Sequence, residues 1–358
     1  MNIFPTNPVQ IRRRRGKVQD THITLAHGSG GKAMRDLIDD IFVNTFNNPI
    51  LSQLEDQASF NLATLMQQGD RLAFTTDSYV VDPLFFPGGD IGELAINGTV
   101  NDLAVSGAKP LYLTCSVILE EGLAVETLRR VAQNMQAAAK KAGVQIVTGD
   151  TKVVHRGAVD KLFINTSGIG VIPPGVNISA HNLQPGDAVI INGELGNHGT
   201  AILIARGELA LETNLESDCQ PLNSLVESIL KVCPQIHAMR DATRGGLATV
   251  VNEFALSSNM GIRLDDQSIP IREEVKGVCE ILGLDPLYLA NEGKLVVVVG
   301  RENTETVLSA MKSHPAGKDA CVIGEVLPSP PGVVLLKTAF GAERILDMLV
   351  GEQLPRIC

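Results

Sequence analysis

The chain has 358 residues, of which 44% are hydrophobic and 20% charged, and its formal net charge is −10. This length allows two domains of ordinary size. The negative charge, the 4% aromatic content and the lack of tryptophan argue against nucleic acid as a partner. The six cysteines form no Cys-x-x-Cys pair, which is typical of reduced thiols in a cytoplasmic protein. No apolar run approaches the roughly 18 residues that span a membrane.

Strand-like and helix-like segments alternate along the chain, which predicts an α/β (α+β) fold. Residues 1–21, with a basic run at 12–15 and no apolar segment after it, are predicted to be a disordered extension. The predicted strands are 71–81, 110–120, 144–148 and 161–172, followed by 188–192, 261–264, 294–299 and 333–337. The predicted helices are 31–46, 125–141, 246–257, 272–282 and 303–313.

Proline and glycine turns at 173–175 and 184–187 indicate a domain junction near residue 175. We therefore predict domains at 22–174 and 175–345, and a mobile tail at 346–358.

An internal echo suggests that the two halves are related. Asn-Asp-Leu-Ala-Val-Ser at 101–106 reads against Asn-Glu-Phe-Ala-Leu-Ser at 252–257. Further along, each half reaches an acid-x-Lys turn, Asp-Thr-Lys at 150–152 and Glu-Gly-Lys at 292–294. The shared order favours an ancient duplication.

A glycine-rich loop follows the first strand-like residues and opens a helix. Gly28, Gly30 and Gly31 would let the backbone approach a phosphate, and Lys32 would add positive charge. The alternative is a glycine turn before a helix, with no ligand.

Six aspartates stand at strand ends and glycine-rich turns, where they favour either turn and cap roles or Mg²⁺ binding beside a nucleotide. They are Asp56, Asp77, Asp82, Asp102, Asp150 and Asp241. The segment 241–246, which includes Arg244, runs into a helix and resembles a second phosphate or metal turn. Asn97 and Asn101 lie four residues apart and so share a helix face, where they could bind phosphate or water, or be ordinary polar residues.

The chain has a cysteine, Cys358, as its last residue. A terminal thiol can be exposed and idle, or it can be carried to another site as a nucleophile or acceptor.

Six motifs together resemble the HypE family of [NiFe]-hydrogenase maturation factors, within the superfamily of aminoimidazole ribonucleotide synthetase and selenophosphate synthetase. The resemblance extends from about residue 22 to residue 358. The motifs are HGSGGKAMRDLI at 27–38, the long segment 74–110, VTGDTKVV at 147–154, RDATRGG at 240–246, NEGKL at 291–295 and PRIC at 355–358.

The resemblance implies an N-terminal sheet that pairs across a homodimer into a barrel, a C-terminal α/β domain, and ATP with Mg²⁺ in the cleft between them. It implies metal or phosphate roles for four of the aspartates, and roles in a dehydration step for Lys152 and Glu292, whose order it leaves open. The implied metal residues are Asp56, Asp77, Asp102 and Asp241. The nucleotide would contact Gly28, Gly30, Gly31, Lys32, Asn97, Asn101, Asp150 and Arg244.

The implied reaction takes place on Cys358. A carbamoyltransferase, HypF, would load this thiol with a carbamoyl group, and ATP-dependent dehydration would convert it to a thiocyanate. A HypC–HypD complex would accept the cyano group on iron. Two rivals are a synthetase or kinase of the same superfamily that acts on a small substrate, and a carrier that only presents Cys358. Selenophosphate synthetases have their catalytic cysteine or selenocysteine near the N-terminus, whereas this chain has no cysteine before Cys115.

Overall fold

A computed structural model of the chain describes residues 16–207, 213–351, 354 and 356–358. Thirteen strands and ten α-helices are present in these residues. The strands are β1 (Arg71–Tyr79), β2 (Phe85–Phe86), β3 (Gly89–Asp90), β4 (Lys109–Glu120), β5 (Gln145–Val154), β6 (Leu162–Ile172), β7 (Ala188–Ile191), β8 (Ile236–Asp241), β9 (Gly261–Asp265), β10 (Leu295–Val299), β11 (Cys321–Leu327), β12 (Val334–Lys337) and β13 (Glu343–Ile345). The helices are α1 (Lys32–Leu37), α2 (Asn44–Phe46), α3 (Leu62–Met66), α4 (Ile91–Val105), α5 (Val125–Ala142), α6 (Asn197–Ala205), α7 (Asn223–Val232), α8 (Gly246–Ser258), α9 (Glu273–Leu282) and α10 (Thr304–Lys312).

A four-stranded sheet in the order β1-β6-β4-β5 forms the N-terminal half. Buried and half-buried residues alternate along most of β6, so the sheet has one covered face and one more open face. Helices α4 and α5 cover the first face. Helix α4 is buried almost all round because it also packs against α7 and β8 of the C-terminal half. It begins at Asp90, whose side chain accepts hydrogen bonds from the amides of Gly92 and Glu93.

The open face of this sheet carries large apolar side chains. Leu72 and Phe74 on β1 are 58% and 71% exposed, and Ile118 on β4 is 39% exposed. Phe60 stacks on Tyr112 with ring centroids 4.2 Å apart. Exposed large apolar side chains on a sheet face are typical of an interaction surface.

A seven-stranded sheet in the order β13-β12-β9-β11-β7-β10-β8 forms the C-terminal half. Its strand β10 is buried at all five positions. Val296 and Val298 belong to one hydrophobic core, whereas Leu295, Val297 and Val299 belong to another. Both faces of this strand are therefore covered, which explains its unbroken apolar sequence.

The predicted N-terminal extension needs a correction in the part that the structure describes. The amide of Val18 donates to Asp40 Oδ2 at 3.3 Å, and the amide of Val125 donates to the Thr21 carbonyl at 2.9 Å. Residues 16–21 are thus attached to the N-terminal half rather than disordered. Residues 1–15, with the basic run, lie outside the described residues.

Several elements differ from the sequence expectation. The structure adds β8 and β11, and it extends β5 to Val154. The helix-then-strand order of the echo recurs as α4 followed by β4 and α8 followed by β9. The two sheets nevertheless differ in strand number and order. None of the helices in the described ranges is long and apolar enough to cross a membrane.

Candidate active site

Two turns of the C-terminal half lie side by side. Asp241 ends β8, and Glu292 stands just before β10, which pairs with β8. The Asn291 side-chain amide donates to the Ala242 carbonyl at 2.8 Å, and the Ala242 amide donates to the Lys294 carbonyl at 2.9 Å. These hydrogen bonds join the two turns and so hold Asp241 and Glu292 close to each other.

Glu292 is a buried acid, only 3% exposed, and its Oε1 has no hydrogen-bond partner in the structure. Burial raises its pKa well above the usual range, and the nearby charges of Asp241, Asp218 and Asp77 raise it further, while Arg244 opposes them. A carboxylate in this environment has a strong tendency to take up a proton.

Three of the predicted acids gather beside Glu292. Asp77 lies on β1 and Asp102 on α4, where Thr75 Oγ1 donates to Asp102 Oδ2 at 2.8 Å. Burial, followed by the charges of Asp102 and Asp77, raises the pKa of Asp241 to about 7. Within the described ranges, no three His, Cys, Asp or Glu side chains converge closely enough to hold a metal ion by themselves.

The end of the tail is docked in the same region. The Val80 amide donates to the Cys358 carbonyl at 3.0 Å, and the Asp82 amide donates to the Arg356 carbonyl at 3.3 Å, in an antiparallel arrangement. Ile357 is 4% exposed. Pro355 of the PRIC motif lies outside the described residues.

The Cys358 thiol is half-buried and close to the acids. Burial raises its pKa to about 12, the charges of Glu292 and Asp77 raise it, and Arg244 lowers it. The structure therefore brings Cys358, Glu292, Arg244 and three predicted metal acids together.

The two asparagines of α4 are buried where the two halves meet. Asn101 donates to the Gln220 carbonyl at 3.1 Å and accepts from the Leu222 amide at 2.7 Å. Asn97 Nδ2 lies 3.4 Å from Cys219 Sγ, and its Oδ1 has no hydrogen-bond partner. The bonds of Asn101 favour its structural alternative, since its amide already joins the two halves.

Asp150 and Lys152 lie elsewhere, on β5. Lys152 Nζ is 2.7 Å from Asp150 Oδ2, and both side chains are more than half exposed. Lys152 pairs in register with Ile118, so it lies on the open face. Strands β1 and β5 are the two edges of the sheet, roughly 14 Å apart at the usual strand spacing. Within one chain, Lys152 does not join Glu292.

The glycine-rich loop adjoins β5. A Cβ on Gly28 would approach the Val153 backbone nitrogen to 2.9 Å, and Gly30 has φ +78°, so both positions favour glycine. Gly31 precedes α1, and the exposed Lys32 forms an ion pair with Asp36.

Asp56 also lies on the β5 side of the molecule. It is exposed, and its neighbours Glu55 and Gln57 line a cavity of about 210 Å³ that Asp150 also lines. The predicted site residues thus form two groups, one in the cleft with Cys358 and one along β5.

Three buried residues were not predicted as site residues: Lys294, Asp218 and His198. Lys294 Nζ lies 3.0 Å from Asp218 Oδ2, and both side chains are almost fully buried. Burial alone would raise the pKa of Asp218, but Lys294 lowers it overall. His198 lies under the tail with its Nε2 2.8 Å from the Ile357 carbonyl. Lys294 belongs to the Glu-Gly-Lys turn that the sequence had already indicated, whereas no motif in the local sequence points to Asp218 or His198.

Comparison with known proteins identifies the class of this fold. A model described as AIR synthase related protein, N-terminal domain, matches residues 55–172, and the corresponding C-terminal domain model matches 184–337. The chain is a two-domain protein of this class.

More similar proteins narrow the assignment. Carbamoyl dehydratase HypE from Rhodobacter capsulatus is 55% identical, over 95% of this chain and 99% of the relative. A crystal structure of hydrogenase maturation protein HypE in complex with ATP has a TM-score of 0.89 at 48% identity, over 93% of this chain and 99% of that one. A HypE–HypF complex matches with a TM-score of 0.76 at 48% identity, over 87% of this chain and 99% of that one. The chain belongs to the HypE family.

Proposed function

We propose that this chain is an ATP-dependent carbamoyl dehydratase of [NiFe]-hydrogenase maturation, which converts a carbamoyl group on Cys358 to a cyano group. One observation carries the proposal: the docked tail places the Cys358 thiol beside the buried Glu292 and the acid cluster. Membership of the HypE family supports it.

The atoms of the reaction balance as follows. The thiocarbamate S–C(=O)–NH₂ loses both N–H hydrogens as protons and its oxygen as phosphate, which leaves S–C≡N. When bound, ATP would supply the phosphoryl group that makes this oxygen a leaving group, and Mg²⁺ would offset its charge. The residues of the chain must bind ATP, orient the thiocarbamate and accept its protons.

Glu292 fits the role of the base that removes an N–H proton. Its Oε1 is buried without a donor, so it can accept a hydrogen bond from the carboxamide. The acid charges that surround it already favour proton uptake.

Asp77, Asp102 and Asp241 fit Mg²⁺. Burial is the largest cause of the raised pKa of Asp241, and repulsion by Asp102 and Asp77 adds to it; a divalent cation would relieve this repulsion. Mg²⁺ usually takes one or two carboxylates and fills its other positions with water and phosphate oxygens. The glycine loop at 28–31 and Lys32 adjoin β5, apart from these acids, so they would bind the phosphates of the same ATP only if a dimer brings the two groups together.

We further propose a homodimer through the open face of the N-terminal sheet, which would form the barrel. The exposed Leu72, Phe74 and Ile118 support this interface. Lys152 lies on the same face, so its role in polarising the substrate depends on the dimer.

HypF as the source of the carbamoyl group is supported by the HypE–HypF complex of a relative. A HypC–HypD complex would accept the cyano group. The six free cysteines support the cytoplasm as the compartment.

The test is to incubate the protein with the carbamoyltransferase, carbamoyl phosphate and ATP, and to weigh the C-terminal peptide. We expect a carbamoyl adduct that loses one water only when ATP is present. A Cys358→Ala control should show neither mass change. An adduct that never loses water would favour a passive carrier, and an unmodified peptide would favour an enzyme that acts on a small substrate.

A further inference from the structure

The last three residues of the tail each accept a hydrogen bond from the body of the protein through a backbone oxygen. The donor–acceptor pairs are Arg206 Nη2 with the Arg356 oxygen (2.8 Å), His198 Nε2 with the Ile357 oxygen (2.8 Å) and the Val80 amide with the Cys358 oxygen (3.0 Å). We call these contacts the tail latch. They involve only backbone oxygens of the tail, so they can hold Cys358 in place whatever group is attached to its sulfur.

The side chain of Arg356 adds an ionic contact. Its Nη1 lies 2.6 Å from Asp160 Oδ2, and its Nε donates to the Val80 carbonyl at 2.9 Å. The Arg356 backbone has φ +52°, a region that non-glycine residues adopt only when their surroundings hold them there. The docked tail is thus a constrained conformation that the latch maintains.

His198 is the buried member of the latch. It is 0% exposed, its Nδ1 lies 2.8 Å from Ser217 Oγ, and Phe86 meets its ring edge-on. The Ile357 carbonyl can only accept, so Nε2 must carry the hydrogen, and Nδ1 accepts from the Ser217 hydroxyl. Burial lowers the pKa of His198, which favours this neutral tautomer.

Docking has opposite consequences for the two steps of the proposed reaction. The docked thiol is half-buried beside Glu292, where the thiolate is disfavoured, so loading with a carbamoyl group requires a released tail. Removal of an N–H proton by Glu292 requires a docked tail. The strength of the tail latch therefore sets the equilibrium between the docked and the released tail.

We propose that His198 is a positioning residue whose hydrogen bond to the Ile357 carbonyl holds the tail docked, with Cys358 facing Glu292. This inference rests on the proposed function for its catalytic consequence, but the docking itself is independent of it.

The first test measures docking alone. The full chain is treated with iodoacetamide, and alkylation of Cys358 is followed by peptide mass in the wild type, His198→Leu and His198→Gln. Loss of one buried hydrogen bond should raise the alkylation rate of His198→Leu about tenfold, because opening becomes about tenfold more frequent. Gln places an amide nitrogen near the position of Nε2, so His198→Gln should return most of the protection.

The second test measures dehydration of the carbamoylated tail with ATP. His198→Leu should dehydrate about tenfold more slowly, with carbamoyl loading unchanged or faster, and His198→Gln should recover. If His198→Leu does not fold, Asp160→Asn, which weakens the partly exposed contact to Arg356, should give the same changes in the same directions. Equal alkylation of wild type and latch variants would overturn the inference. Normal protection without dehydration in the wild type would instead contradict the proposed function.

Discussion

The Asp-Thr-Lys segment at 150–152, predicted as a turn, lies within strand β5, and it shares its spacing with the Glu-Gly-Lys turn at 292–294 but differs from it in burial and in ion-pair partner. Lys152 is 63% exposed and pairs with its own neighbour Asp150. Lys294 is 9% exposed and pairs with Asp218 from a distant segment. The first predicted turn is therefore a strand segment whose ion pair lies on the open sheet face, whereas the second turn is buried in the cleft.

The acids of the two turns differ in the same way. The hydrogen bond from Lys152 is the main cause that lowers the pKa of Asp150. Burial and neighbouring acids raise the pKa of Glu292 well above its usual range. Burial rather than spacing therefore decides which acid can serve as a base, and each prediction below changes matched positions of the two turns or of the cleft.

The largest expected effect is on Glu292. Glu292→Gln should keep the carbamoyl adduct on Cys358 but dehydrate it about 10²- to 10⁴-fold more slowly, because a general base contributes on that order. The rate is measured by the loss of water from the C-terminal peptide in single-turnover reactions.

Asp150→Asn is the matched control for this experiment. It removes the acid at the equivalent position of the first turn, and we expect a smaller loss, below about tenfold, since Asp150 is exposed and its visible partner is Lys152. Equal losses in the two variants would show that burial does not distinguish the turns, and normal turnover in Glu292→Gln would exclude it as the base.

The two lysines should differ in stability. Lys294→Met leaves the buried Asp218 unpaired and should lower the free energy of unfolding by about 3 to 5 kcal/mol. Lys152→Met breaks an exposed pair and should change it by less than about 1 kcal/mol. Urea denaturation of the two variants side by side measures the difference, and similar values would contradict the burial assigned to Lys294.

The family resemblance implied functional roles for Asp77, Asp102, Asp241 and Glu292, and the structure brings these four acids together at one cleft although Asp77 lies within β1 and Asp102 within α4. The resemblance also implied that Lys152 and Glu292 act in the same dehydration step, and within a single chain the structure separates them. The reason is topological: β5 is the far edge of its sheet, and strand order follows from long-range pairing that local patterns do not encode. Helix α4 was not predicted in full, since a helix buried on all sides has no polar face to reveal its period.

The tail latch could not be predicted from the sequence either, because its contacts also join residues that are far apart in the chain. His198 contacts Ile357 across 159 positions of the chain, and its neighbours Asn197 and Gly199 suggest only a turn. The sequence predicted a mobile tail at 346–358, whereas in the structure its last residues are docked by hydrogen bonds from the Val80 and Asp82 amides.

A smaller effect is expected from the charge of Asp241. Its folded pKa of about 7 exceeds the ordinary 3.8, so the folded protein binds the extra proton between these pH values and loses stability as pH rises through them. Asp241→Asn should therefore raise the free energy of unfolding at pH 8, by at most about 4 kcal/mol, and the gain should shrink toward pH 5. Asp56→Asn, at an exposed acid, should stay within about 0.5 kcal/mol of the wild type. A gain in stability that does not depend on pH would contradict the raised pKa of Asp241 as its cause.

The smallest effect, and the opposite sign, is expected for Asp150. Its folded pKa is lowered, so its contribution to stability is present above the ordinary value of 3.8 and disappears as pH falls through the folded pKa. Because the pair with Lys152 is largely exposed, solvent screening reduces this contribution to a few tenths of a kcal/mol. Asp150→Asn should then be slightly less stable than the wild type at pH 7, and the deficit should shrink in 1 M salt. Unfolding curves at both salt concentrations measure it. A stabilising Asp150→Asn would mean that the first turn behaves like the buried one, and the contrast between the two turns would have to be abandoned.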